Sequence, residues 1–268
     1  IKMNEENKNI KLISDRNPRS LLPNTLTIIG VCLGLSSIKF ALDGNYAISV
    51  VALTFAAILD TLDGRIARLI KGTSKVGKEL DSLTDVISFG VSPGLIMYFW
   101  SIRSLGKIGW VIVLIYAVCC ALRLARFNIT NSEKSQNWKI NFFEGVPSPA
   151  AAGLVLLPLI LDLSNFNFFV SNSYISAATM FITSILMISK VPTYSLKKIS
   201  IPRSLTVFLL LGIGVYFALL IIYTFKTLFI SGILYSIFIP ISFFHFKKME
   251  KAYSIIEKAE EDEAEDIL

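Results

Sequence analysis

DTLDGRIAR at residues 60–68 and GKELDSLTD at residues 77–85 place four aspartates within 26 residues. The first segment closes an apolar stretch at 45–67, and the second leads into another at 82–102. Apolar stretches of about 20 residues are typical of membrane-spanning helices. The two segments therefore predict the polar end of a helical hairpin at one face of a membrane.

Helical periodicity gathers the polar residues of each segment on one side. Residues spaced i, i+4 and i+8 share a face of an α-helix. These are Asp60, Gly64 and Arg68 in the first segment, and Gly77, Asp81 and Asp85 in the second. Asp63 and Ala67 flank the first face. Two faces that carry carboxylates can thus meet across the hairpin.

The composition of the whole chain is that of a membrane protein. Of its 268 residues, 53% are hydrophobic and 17% are charged, and the mean hydropathy is +0.62. Soluble domains carry about 25% charged residues. The net charge of +6 is explained by basic residues that flank apolar spans, as the positive-inside rule describes. We therefore expect membrane lipid, and no nucleic acid, as a partner.

The apolar stretches predict an all-α, polytopic membrane helical bundle with about eight transmembrane helices. The expected spans are 21–40, 45–67, 82–102, 107–127, 147–163, 173–190, 204–224 and 228–246. With these spans, 22 of the 26 Lys and Arg residues fall on one side of the membrane. This asymmetry predicts an inner-membrane protein with both termini in the cytoplasm. It also puts the four aspartates, and with them the expected active site, at the cytoplasmic end of spans two and three.

We divide the chain into four parts on this basis. Residues 1–20 form a cytoplasmic N-terminal segment, and residues 21–200 form a membrane domain of about six spans. Residues 201–246 add two C-terminal spans, and residues 247–268 form a charged cytoplasmic tail. Too little chain is left for a separate soluble catalytic domain, so any chemistry is expected on the spans or at their ends.

The four aspartates require compensating positive charge. An aspartate near the middle of a bilayer costs about 2.5–3.5 kcal/mol, so four of them need water and cations nearby. Oxygen ligands without His or Cys favour hard divalent ions such as Mg²⁺, Mn²⁺ or Ca²⁺, and four carboxylates suit a pair of ions. Two such ions can stabilise both the attacking and the leaving oxygen in a displacement at phosphorus.

The residues between the aspartates indicate a phosphate-bearing ligand. Gly64 and Gly77 leave room for a ligand to approach the backbone, and Ala67 keeps the same surface flat. Arg68 offers a guanidinium fork that suits phosphate. The intervening loop at 71–75 is basic and carries hydroxyl groups.

These residues resemble a known family. They fit the signature of the CDP-alcohol phosphotransferase family, D-x2-D-G-x2-A-R-x8-G-x3-D-x3-D, at every fixed position from Asp60 to Asp85. Further segments resemble the bacterial integral-membrane branch that uses serine, over most of residues 20–200. These segments are PNTLT at 23–27, SFGVSP at 88–93, RLARFN at 123–128, GVPSPAAAG at 145–153 and SKVPT at 189–193. Spans seven and eight contain no such segment.

The resemblance implies transfer of a phosphatidyl group from CDP-diacylglycerol to the hydroxyl of L-serine, which gives phosphatidylserine and CMP by a two-metal in-line displacement. It implies that Asp60, Asp63, Asp81 and Asp85 hold two divalent cations, Mg²⁺ or Mn²⁺ with Ca²⁺ as an alternative. It further implies that Asp85 is the catalytic base that takes the serine proton. A homodimer is also implied by the resemblance.

The remaining candidates would bind the substrates. Those expected to bind the nucleotide are Asp60, Gly64, Ala67, Arg68, Gly77, Asn24, Thr27, Thr73 and Ser74. Those expected to bind serine or a lipid phosphate are Arg123, Arg126, Ser148 and Lys190. Simpler structural interpretations stay open for several of these residues: helix capping for Asn24 and Thr27, a helix start for Ser148, and flanking positive charge for Arg123 and Arg126.

Two alternatives for the function stay open. The same reaction could use another acceptor: glycerol 3-phosphate, an inositol phosphate, or serine with an archaeal-type lipid. Intramembrane carboxylates also mark ion paths, so a divalent-cation transporter is the alternative of a different class. A transporter would leave Gly64, Ala67, Arg68 and Gly77 without an explanation.

Overall fold

A computed structural model of the chain describes residues 21–70, 75–130, 142–164, 172–194 and 203–265. This part of the chain consists almost entirely of α-helices, with one π-helical turn, one 3₁₀ turn and two short strands. Six helical segments of the described residues are long and apolar enough to cross a membrane. The prediction of an all-α membrane helical bundle is confirmed at this level.

The first two helices, α1 (Leu21–Leu42) and α2 (Tyr46–Leu69), form a hairpin. The turn between them includes Gly44, whose φ of 80° lies in the left-handed region that favours glycine. Farther along the hairpin, the buried Ser49 hydroxyl donates to the carbonyl of Ser37 at 2.7 Å. Small hydroxyl residues allow helix backbones to approach closely in a membrane, and α1 packs extensively on α2.

The next membrane segment is one helix in three parts: α3 (Lys75–Asp85), a π-helical turn (Val86–Val91) and α4 (Ser92–Trp100). It begins earlier than the predicted third span, because its first two turns are polar. The π turn follows Asp85 directly and changes the helical register of the residues beyond it. A 3₁₀ turn (Ile102–Leu105) then leads to α5 (Gly106–Thr130).

The helices in the region of the fifth and sixth expected spans are short. Helices α6 (Ser148–Val155) and α7 (Leu157–Leu163) are separated by a break at Leu156, and Pro158 stands in the first turn of α7. Proline lacks the N–H that a continuous helix would need there. Helix α8 (Ser173–Ile188) has 16 residues, or about 24 Å of helix. A count of eight full spans is therefore not confirmed.

Two short strands join the ends of this region. Strand β1 (Phe142–Glu144) pairs antiparallel with β2 (Pro192–Tyr194). Gly145 follows β1 with a φ of 75°, and a Cβ at this position would lie 2.6 Å from the Met187 carbonyl oxygen. The Thr193 hydroxyl donates to the Gly145 carbonyl at 2.9 Å. These contacts hold the start of α6 close to the end of α8.

The last two helices differ in how they pack. Helix α10 (Thr224–Glu265) contacts α6, α7 and β2. Helix α9 (Arg203–Ile222) has its main contact with α10, and none of its residues from Leu205 to Ile222 is buried in the described part of the protein. Helix α10 has 42 residues, or about 63 Å, so the predicted eighth span and most of the charged tail form one helix.

The core of the bundle lies between the π turn and helices α4, α5 and α7. Its largest fully buried side chains include Phe89, Ile96, Tyr116 and Leu159. This packing fixes α3 and α5 relative to each other. Polar residues at the ends of these helices are thereby held in defined positions.

We expect the two ends of the α3–α4 segment to lie on opposite sides of the membrane. Lys78 near its start and Lys107 just beyond its end are both exposed, and more than 20 helical residues, about 30 Å or more, separate them. Lys78→Cys and Lys107→Cys, each made in a Cys32→Ala background, would be treated with an impermeant thiol reagent in intact cells. The charge asymmetry predicts labelling at position 107 and protection at position 78. The reverse pattern would contradict the predicted orientation.

Candidate active site

Three of the four predicted aspartates converge. Asp60 and Asp63 lie on consecutive turns of α2, and Asp81 lies on α3. One carboxylate oxygen from each residue can be chosen so that all three lie within 4.8 Å of one another. None of these carboxylates forms a salt bridge with a described Lys or Arg side chain. Helices α2 and α3 thus bring negative charge together near the ends that residues 70–74 connect.

Asp85 lies beside this group and not within it. It is the last residue of α3, one turn after Asp81, and its carboxylate is within hydrogen-bonding reach of Asp60. Its Oδ1 atom is buried and has no hydrogen-bond partner among the described residues. Asp85 also interacts electrostatically with Arg123 of α5. Asp85 therefore lies between the three converging carboxylates and the buried guanidinium of Arg123.

The buried Asp63 is held by a contact that sequence reasoning missed. The Thr27 hydroxyl of α1 donates to Asp63 Oδ2 at 2.6 Å, and Thr27 is itself buried. Asp63 Oδ1 is buried without a hydrogen-bond partner among the described residues. The sequence predicted Thr27 only as a nucleotide-binding or helix-capping residue, and no spacing rule links it to Asp63. Thr27 fixes one carboxylate oxygen and leaves the other free to bind a ligand.

The residues predicted to line the nucleotide site differ in their exposure and packing. A Cβ added at Gly64 would meet nothing within 4 Å, so packing within the protein does not require glycine there. Arg68 is exposed, and its Nε donates to the Gly64 carbonyl at 2.9 Å. Ala67, Gly77 and Asn24 are half-buried. Thr73 and Ser74 lie outside the described residues.

Arg123 and Ser148 meet inside the bundle. Arg123 is 8% exposed, and its Nη1 donates to Ser148 Oγ at 2.5 Å. Its Nε is buried and has no hydrogen-bond partner among the described residues. Ser148 is the first residue of α6 and also lies beside Cys120. A buried guanidinium with an unused donor suits an anionic ligand.

Arg126 and Lys190 are placed differently from Arg123. Arg126 Nη1 donates to the Ile188 carbonyl at 2.8 Å, at the C-terminal end of α8. Basic side chains at helix C-termini stabilise the last carbonyls. Lys190 is exposed just beyond that end. The structure therefore separates the two arginines, which share a helical face in the sequence, into one buried site residue and one helix cap.

Hydrogen bonds with two neighbouring helices hold the π turn after Asp85 and the residue that follows it. The Tyr116 hydroxyl of α5 donates to the Phe89 carbonyl at 2.8 Å. Ser92 Oγ donates to the Gly34 carbonyl of α1 at 2.9 Å. A side chain at Gly34 would collide with Ser88. π turns often occur at functional sites. The close packing explains why the SFGVSP segment at 88–93 has these residues, which the sequence alone does not reveal.

The carboxylates have the chemistry of a site for hard divalent cations. Every converging donor is an oxygen, which favours Mg²⁺, Mn²⁺ or Ca²⁺ over softer ions. Two buried carboxylate oxygens, Asp63 Oδ1 and Asp85 Oδ1, have no hydrogen-bond donor among the described residues. Buried charge without such partners is costly. The residues therefore fit bound cations.

Comparison with known proteins gives a consistent result. A family model described as CDP-alcohol phosphatidyltransferase matches residues 20–196. The chain is 35% identical over 221 residues to the CDP-diacylglycerol–serine O-phosphatidyltransferase of Mycobacterium tuberculosis, covering 82% of this chain and 77% of that protein. It is 37% identical over 203 residues to the protein of the same name from Helicobacter pylori, covering 75% of this chain and 83% of that protein.

We expect Thr27 to tune metal affinity through Asp63. Thr27→Val keeps the shape of the side chain but removes the hydroxyl, which leaves Asp63 without a side-chain donor among the described residues. Loss of such an outer contact typically weakens metal binding about 10–100-fold. Mn²⁺ binding to the purified protein without substrates, followed by electron paramagnetic resonance, would measure this. Thr61→Val on the exposed side of α2 is the matched control, and equal Mn²⁺ affinity in both variants would refute the role of Thr27.

Proposed function

The chain belongs to the CDP-alcohol phosphatidyltransferase family, and from this premise we propose that it transfers the phosphatidyl group of CDP-diacylglycerol to L-serine. The products are phosphatidylserine and CMP. The observation that carries the proposal is the convergence of Asp60, Asp63 and Asp81, next to which Asp85 contacts Asp60 and interacts with the buried Arg123. This arrangement provides cation ligands and an anion-binding side chain within one site, and the named relatives supply serine as the acceptor.

The aspartates have different roles in this proposal. Asp60, Asp63 and Asp81 would hold two divalent cations, Mg²⁺ or Mn²⁺ with Ca²⁺ as an alternative, with Asp85 at their edge. When bound, such ions neutralise the diphosphate and stabilise the leaving CMP. Thr27 keeps Asp63 oriented. The convergence of three carboxylates supports these assignments.

Asp85 would act as the general base. The serine oxygen forms a bond to the β-phosphorus as the bond from that phosphorus to the CMP oxygen breaks, and the serine proton moves to Asp85. The unpartnered Oδ1 of Asp85 can accept this proton. Arg123 lies near Asp85 and would orient the serine carboxylate together with Ser148. This places the serine hydroxyl close to the base.

The nucleotide would lie over the open face of α2. Gly64 leaves that face unobstructed, and Ala67, Arg68, Gly77 and Asn24 surround it. Arg68 is exposed and could turn its guanidinium to the diphosphate. We keep Thr73 and Ser74 as proposed contacts from the adjoining loop, and Lys190 as a proposed contact to lipid phosphate.

An apolar cavity supports a lipid donor. Its volume is about 290 Å³, and it lies between α2, the break between α6 and α7, and α10. Ala57, which lines it, is about one turn of α2 from Asp60. Burial of hydrocarbon in such a cavity is favourable. An acyl chain of CDP-diacylglycerol could therefore occupy the cavity while its diphosphate reaches the carboxylates.

The long apolar helices and the charge distribution also support a membrane location. Six helices in the described part of the chain are long and apolar enough to cross a membrane, as expected of an integral membrane protein. We propose that it lies in the inner membrane with both termini in the cytoplasm, where L-serine and CMP can exchange. The charge asymmetry supports the orientation, and the family resemblance supports a homodimer.

Turnover with a panel of alcohols tests the proposal directly. Purified protein would receive CDP-diacylglycerol, Mn²⁺ or Mg²⁺, and either L-serine, glycerol 3-phosphate or an inositol phosphate. We expect release of CMP that depends on both metal and serine, with phosphatidylserine as the lipid product. Full activity in excess chelator would contradict the metal assignment. CMP release with glycerol 3-phosphate but not with serine would contradict the acceptor.

Asp85→Asn should remove turnover while retaining much of the metal-dependent binding of CDP-diacylglycerol. A general base typically contributes 10²–10⁴-fold in rate, roughly 3–5 kcal/mol of barrier. Asp60→Asn or Asp63→Asn should instead lose binding and turnover together, because these residues are proposed metal ligands. Asp43→Asn, in the exposed turn between α1 and α2, is the matched control. More than about a tenth of wild-type turnover in Asp85→Asn, against that 10²–10⁴-fold expectation, would exclude Asp85 as the base.

A further inference from the structure

We propose that Tyr235 of α10 is a further substrate-binding residue, whose hydroxyl and the Arg123 guanidinium together receive an oxyanion of a substrate. The inference rests on the proposed function and adds a residue outside the part of the chain matched by the family model. The shared chemistry is an oxyanion, and two substrates could supply it: the carboxylate of serine or a phosphate of the lipid donor.

The first observation is a pair of unused donors. The Tyr235 hydroxyl and Arg123 Nε are both buried, and neither has a hydrogen-bond partner among the described residues. The two side chains are close enough to interact electrostatically. Buried polar groups without partners are rare and costly. One negatively charged ligand with several acceptor oxygens would satisfy both donors at once.

The neighbouring side chains do not satisfy these donors. The Tyr235 hydroxyl approaches the Thr193 side chain, but the contact lacks hydrogen-bond geometry. The Thr193 hydroxyl is held in this position by its own bond to the Gly145 carbonyl at 2.9 Å. Ser148 is already bonded to Arg123 through Nη1. The Tyr235 hydroxyl and Arg123 Nε therefore stay available to a ligand.

Tyr235 lies between the apolar cavity and the polar side chain of Arg123. Its side chain also lines the apolar cavity together with Leu228 and Gly232 of the same helix. Arg123, its polar neighbour, in turn lies near Asp85. Tyr235 thus joins the region proposed for the acyl chain to the region proposed for the reacting groups. An oxyanion bound here would be held beside the base.

Tyr235→Phe tests the inference because it removes the hydroxyl alone. A hydrogen bond to a charged group is worth enough for an effect of about 10-fold or more on binding. We expect the thermal midpoint of the ligand-free protein to stay unchanged, because the hydroxyl has no hydrogen-bond partner to lose among the described residues. Tyr216→Phe on the exposed helix α9 is the matched control and should behave as wild type throughout.

Two measurements distinguish the sources of the oxyanion. A rise of about 10-fold in KM for serine, with unchanged binding of CDP-diacylglycerol, would assign the site to the carboxylate. Weaker equilibrium binding of CDP-diacylglycerol in the absence of serine would assign it to the phosphate. The inference is overturned if both quantities stay within about twofold of wild type, well below the expected effect. A wild-type protein without serine turnover would contradict the proposed function, and the lipid-binding comparison would then decide the inference on its own.

Discussion

Mutual repulsion among four carboxylates is the constraint on which the rest of this structure depends. Asp60, Asp63 and Asp81 converge, and Asp85 lies beside Asp60. Each would cost about 2.5–3.5 kcal/mol near the middle of a bilayer. The protein places them at helix ends, gives Asp63 a hydroxyl donor, and sets one buried arginine near Asp85. The three converging carboxylates could hold a metal ion, which would complete this compensation.

Close backbone packing is what keeps these charges in place. The π turn directly after Asp85 accepts a hydrogen bond from α5, and Ser92 just beyond the turn donates one to α1, so the position of the carboxylate depends on neighbouring helices as well as on its own helix. On the opposite side, the β1–β2 pair and the positive φ of Gly145 set the start of α6. Ser148 is thereby brought to Arg123. Segments far apart in the chain thus act together to hold Asp85, Arg123 and Ser148 in place.

The sequence made part of this arrangement predictable. The spacing of Asp60, Asp63, Asp81 and Asp85 on two helices was sufficient to predict that their carboxylates approach each other, since helical periodicity is a local property. Three features depend on tertiary packing between distant segments: the bond from Thr27 to Asp63, the helix-capping contact of Arg126 and the burial of the Tyr235 hydroxyl. A single sequence has no signal for such contacts. The short helices α6 to α8 were predicted as full spans because hydropathy detects apolar length but not the break before Pro158.

Helix α9 has no buried residue from Leu205 to Ile222 in the described part of the chain, which has a consequence for how this protein can change over time. Its main contact there is with α10, so its exposed apolar side chains suit a lipid environment, and lipid tails accept one aliphatic side chain as readily as another. Mutations along α9 that keep it helical and apolar should therefore accumulate freely. Helix α5 has no such freedom, because Tyr116, Cys120 and Arg123 each have a specific neighbour. Two helices of one membrane protein would thus diverge at different rates for purely physical reasons.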